Sequence, residues 1–88
     1  MAIFDPSDLV FLSKYFPDMT GNRLPIFLLF GYGLTKKEIA IDQQVSERTV
    51  SRALDELAQQ HGIASTDMLR VIAGNRLNMI ILALLMHR

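Results

Sequence analysis

Apolar residues recur along this chain at helical spacing, not at the alternation of strands. Val50, Ala53, Leu54, Leu57 and Ala58 fall at i, i+3, i+4, i+7 and i+8, one stripe of a helix that opens at Ser46 and stops at Gly62. Just upstream, Thr35-Lys36-Lys37-Glu38 has the form of a capping box, in which a threonine hydroxyl and a glutamate carboxylate each satisfy the other's backbone N–H. This predicts a short helix carrying Ile39 and Ala40 to about Asp42.

The remaining punctuation predicts four more helices. Asp5-Pro6-Ser7-Asp8 offers an N-cap, a proline in the first turn and an acid at the positive helix end, followed by Leu9, Leu12, Ser13 and Phe16 on one face. Pro17 sets its limit near Phe16. A second helix opens near Gly21-Asn22 and keeps Pro25 in its first turn. Its residues Ile26, Leu28, Leu29 and Phe30 leave no polar face before Gly31-Tyr32-Gly33, the pattern of a central, buried element. Ser65 or Thr66 caps a helix with Met68, Leu69 and Ile72 inward, ending at Gly74. Asn75 then caps a last helix through Leu77, Ile80, Ile81, Leu84 and Leu85. Gly-Asn-Arg-Leu stands at both 21–24 and 74–77 and reads as one helix-start chemistry used twice.

The fold class that follows is all-α: a compact helical bundle, one domain over 1–88, with a helix-turn-helix at about 35–60. Extra helices flank it at about 6–16 and 76–87. A core this small is well packed or shared with a second subunit. The apolar residues Leu77, Ile80, Ile81, Leu84 and Leu85 are the candidate surface of a homodimer.

Composition narrows the chemistry. With no cysteine, the chain has no disulfide, thiolate zinc site or thiol nucleophile. His61 lies at a helix C-terminus, which favours a cation, and His87 near the chain end, with no acid at ligand spacing, so no metal or cofactor is expected. No Ser or Thr has a general base beside it and no glycine-rich phosphate loop follows a strand, which argues against an enzyme. The longest apolar run, Met79–Met86, has eight residues where a membrane span needs about 20. With no basic leader at the N-terminus, the expectation is a cytoplasmic chain with no membrane partner.

Nine basic and nine acidic residues leave no net charge, so a case for nucleic acid rests on where the charges lie. On the helix after Ser46, Arg48, Ser51, Arg52, Asp55 and Gln59 fall on the side away from the apolar stripe. Arginine reads guanine through two hydrogen bonds, and Ser or Gln serve as adaptable partners. Lys36 and Lys37 sit at a helix N-terminus, where backbone donors and positive charge together favour phosphate. The bland alternative makes these cations ordinary solvated charges, with Asp55 and Glu56 supporting the arginines.

At this point the chain resembles the LuxR-type (GerE-like) helix-turn-helix family of bacterial regulators. The matching residues are Gly33-Leu34-Thr35-Lys36-Lys37-Glu38-Ile39-Ala40, Val45-Ser46-Glu47-Arg48-Thr49-Val50, Leu57 and Gly62-Ile63, over roughly Leu24 to Ile72. The resemblance implies a four-helix DNA-binding domain, often dimeric, that regulates transcription. It implies Thr49 on phosphate, Val50 inside, and Ser51, Arg52 and Asp55 at the bases. Gln43 replaces the family's core leucine, Gln44 its turn glycine, Ala53 a frequent histidine and Asp55 a frequently basic residue. Without glycine at Gln44 the turn is expected to depart from the left-handed form. Double-stranded DNA is the expected partner. The alternative is a helix-turn-helix module that binds another transcription regulator or RNA polymerase and not DNA.

Overall fold

The computed structural model describes residues 6–86, and the expected cap at Asp5, His87 and the end of the last helix lie outside that range. Five helices follow one another: α1 (Pro6–Ser13), α2 (Arg23–Gly31), α3 (Lys36–Gln43), α4 (Glu47–Gln60) and α5 (Met68–Met86). No strand occurs among the described residues, so the fold is all-α.

At the centre is α2, whose residues Leu24 to Phe30 are all buried, as its unbroken apolar run predicts. Helices α5, α4 and α3 pack around it, and α3 packs on α4. The buried residues form one core, to which α4 contributes Val50, Ala53, Leu54, Leu57 and Ala58, the stripe expected from spacing. The α1 helix stops three residues short of Phe16. The chain beyond Ser13 closes in tighter i→i−3 turns, Tyr15 N to Leu12 O at 2.9 Å and Phe16 N to Ser13 O at 3.2 Å. Phe16 thereby still enters the core.

Three helices end in the same way. Gly33, Gln44 and Gly62 take positive φ (102°, 57° and 67°), and the next residues, Leu34, Val45 and Ile63, bond back to Leu29 O, Ala40 O and Ala58 O at 3.2, 3.0 and 3.0 Å. Each follower is apolar and rests against the core, so a helix end also becomes a packing contact. Gln44 corrects the expectation of a different turn: the left-handed geometry is kept without glycine, at a cost of roughly 1–2 kcal/mol. Gln43, in place of a core leucine, is half-buried and donates to Asp42 Oδ2 at 2.8 Å.

The C-terminal third also departs from expectation. A helix ending at Gly74 and another capped by Asn75 were expected, but α5 runs unbroken through both. Glycine in a helix interior costs about 1 kcal/mol relative to alanine, and asparagine less. Burial of Leu69, Ala73 and Leu77 against the body outweighs this, since each buried leucine contributes about 1.5–3 kcal/mol. Thus Gly-Asn-Arg-Leu opens α2 but lies inside α5. Even at α2, Asn22 makes no side-chain cap. Of the residues expected in a dimer surface, Leu77 is only 9% exposed and Ile80 rests on the core, so both belong to the protomer, whereas Ile81, Leu84 and Leu85 are exposed.

By length and composition α5 is long and apolar enough to cross a membrane. Its N-terminal half, however, is tied to α2. Arg70 donates to Phe30 O at 2.7 Å and its guanidinium lies 3.9 Å from the centre of the Phe30 ring.

Candidate nucleic-acid interface

The two caps that open α3 and α4 are both formed. Thr35 Oγ1 accepts from Glu38 N at 3.1 Å while Thr35 N donates to Glu38 Oε1 at 2.8 Å, completing the capping box. Ser46 Oγ accepts from Thr49 N at 3.1 Å. Only Gln44, Val45 and Ser46 separate the two helices. Buried Ile39 and Ala40 on one, and Val50, Ala53 and Leu54 on the other, set their shared side toward the core. The α4 helix is therefore held at its start and along one face, and its other face is left to solvent.

That outer face carries the residues expected there. Arg48, Ser51, Arg52, Asp55 and Gln59, together with Glu56, line one shallow depression along α4. Arg48, Arg52 and Asp55 are exposed and Ser51 is half-buried. Glu56, one of the two acids expected to support the arginines, instead forms an ion pair with Arg23 at the start of α2. Among the described residues this is the only ion pair, so Arg48, Arg52, Lys36 and Lys37 form none with another described residue.

Two positions differ from the simple expectation. Thr49 is half-buried and its hydroxyl lies 2.9 Å from Ser46 Oγ, so it already shares in the cap of α4. At the head of α3, the Glu38 carboxylate occupies the positive helix end beside half-buried Lys36 and exposed Lys37. Hydrogen bonds from the Thr35 backbone and side chain hold its pKa below the ordinary glutamate value. The anion favoured at that end is thus supplied by the chain itself, which leaves the lysine charges as the main attraction for phosphate.

Some positioning residues carry no sequence signal. Arg70 and Phe30 stand 40 residues apart. His61 stacks on Phe27, ring centres 6.3 Å apart, with Nδ1 2.8 Å from Leu57 O, and so serves as structure at the end of α4. Among the described residues no group of three His, Asp or Glu side chains is placed to hold a metal ion.

Comparison with protein-family models, with curated proteins and with solved structures finds no match to this chain. The likeness to LuxR-type regulators therefore rests on the residues quoted for it.

Proposed function

We propose that this chain is a sequence-specific DNA-binding transcription regulator of the LuxR type. In this reading it acts in the bacterial cytoplasm as a small homodimer, without cofactor or catalysis. The observation that carries it is the outer face of α4, where Arg48, Ser51 and Arg52 stand together and the two arginines form no ion pair with another described residue. Here α3 and α4 form the helix-turn-helix, with α4 in the major groove and α3 bracing it across the backbone. Arg52 and Ser51 read base edges, Asp55 accepts from cytosine, and Lys36, Lys37, Arg48 and Thr49 meet phosphates.

A fluorescence-anisotropy titration against mixed genomic fragments, repeated across salt concentrations, tests this. With Lys36, Lys37 and Arg48 of both subunits on phosphate, log K should fall with log salt at a slope of roughly −5. A slope near zero would remove the electrostatic contact.

One observation favours a second reading. Over α3 and α4, Lys36, Lys37, Arg48 and Arg52 face Glu38, Asp42, Glu47, Asp55 and Glu56, so carboxylates outnumber cations. A module that binds another regulator or RNA polymerase needs no excess of positive charge. That reading gains if the chain shows no DNA affinity at low salt and a partner pull-down is lost in Arg52→Ala.

A further inference from the structure

Helix α5 has two apolar sides, and only one of them is used. Leu69, Ala73 and Leu77 are buried against the body. On the opposite side Met68, Val71, Asn75, Asn78, Leu82 and Leu85 are all exposed, the four apolar ones by 49%, 53%, 52% and 56%. Their steps are three, four, three, four and three residues. That is the a/d spacing of a coiled-coil seam, whereas a solvent-facing side of a soluble helix is ordinarily polar.

We propose that this stripe is the seam along which α5 pairs with α5 of a second copy of the chain, with Asn75 and Asn78 setting the register. This deepens the homodimer of the reading above and does not rest on its DNA contacts.

The stripe is self-complementary. Read backwards, Met68 exchanges with Leu85, Val71 with Leu82 and Asn75 with Asn78. A two-fold pair, antiparallel or parallel in register, therefore sets asparagine on asparagine and apolar on apolar. An amide both donates and accepts, so two asparagines satisfy each other across such an axis, where two carboxylates or two ammonium groups would not. A pairing slipped by one heptad strands amides against leucine, valine or methionine, so one register is favoured in each orientation.

The area also suits a second copy. The four apolar stripe residues, with exposed Met79, Ile81 and Met86 beside them, each offer on the order of 100 Å², or roughly 700 Å² together. That exceeds the largest apolar patch of a typical monomer, about 300–600 Å², and approaches the roughly 800 Å² each partner contributes to a stable interface.

Sedimentation velocity of the full chain at tens of micromolar, without DNA, provides the test. The expected result is a dimer of the 10.0 kDa chain. The double variant Leu82→Glu/Leu85→Glu should sediment as a monomer with unchanged helicity, because both side chains lie outside the core. Asn75→Leu/Asn78→Leu should associate at least tenfold more tightly or move to higher oligomers, and this variant decides the matter if the glutamates unfold the chain. A monomeric wild type, undiminished association of the glutamate variant, or no effect of the leucine pair would overturn the seam. So would α5-dependent flotation of a monomer with phosphatidylcholine/phosphatidylglycerol vesicles, which would give the apolar side to lipid. A dimer with no DNA affinity would leave the seam standing and remove only the regulator reading.

Discussion

Gly31 and Ala73 bring α2 and α5 into close approach: a methyl group added at Gly31 would overlap the Cβ of Ala73. The last residue of the central helix thus lets the long C-terminal helix lie against it, close to where Arg70 meets Phe30. The contrast with Gly74, whose added Cβ would meet nothing within 4 Å, separates a glycine required by packing from one that only weakens a helix.

Gly31→Ala should destabilise the protein by about 1–3 kcal/mol, the cost of overfilling a packed contact. Gly74→Ala should stabilise it by about 0.5–1 kcal/mol, since it removes an interior glycine without a clash. Urea unfolding at one fixed protein concentration checks both. Equal effects of the same sign would mean that the α2–α5 contact is not the one described.

At the turn between α3 and α4, Gln44→Gly should raise stability by about 0.5–1 kcal/mol. Relief of the left-handed strain at φ 57° outweighs the added freedom of the unfolded chain. Gln44→Val should lower it, because a β-branched residue tolerates that region least. Thermal melts of the two variants decide between this turn and an ordinary one.

The capping box predicts a pH dependence. Glu38 has a lowered pKa in the fold, so between that value and its unfolded value of about 4.3 the unfolded state binds more protons. Its contribution is therefore fully present above about pH 4.3 and is lost as pH falls through the folded pKa. In Glu38→Gln that part of the acid limb should be absent. Thr35→Ala should cost about 1 kcal/mol at neutral pH, by leaving the Glu38 N–H without its acceptor. An unchanged acid limb in Glu38→Gln would show that the box contributes nothing in solution.

On α4, Arg52→Ala should cost about 1–3 kcal/mol on the preferred DNA site and relax base preference at one position. Lys36→Ala should weaken all sequences alike, because phosphate carries no base identity. Both should melt as the parent does, since neither side chain forms an ion pair with another described residue and neither belongs to the core. A folded Arg52→Ala protein that discriminates between sites as well as the parent would end the base-reading role of this residue.

What the sequence by itself determined is local. The caps at Thr35 and Ser46, the ends at Gly33 and Gly62 and the buried stripe of α4 are decided by hydrogen bonds and side-chain spacing within a few residues, and all were legible as strings. The outer face of α4 was legible for the same reason, since a stripe of known phase fixes its opposite side. Tertiary structure decided the rest. Gly74 and Asn75 have the form of a helix break, yet α5 continues because burial along α2 outweighs their poor propensity. Gln44 adopts the conformation of a glycine because Val45, bonded to Ala40 O, and the Ser46 cap pin the chain on its far side. The pairs Arg23–Glu56 and Arg70–Phe30 join residues 33 and 40 positions apart, beyond the reach of any local pattern. Most of all, a helix apolar on two sides shows no single apolar face as a string. Only packing against α2 assigns Leu69, Ala73 and Leu77 to the core and leaves Met68, Val71, Leu82 and Leu85 facing outward.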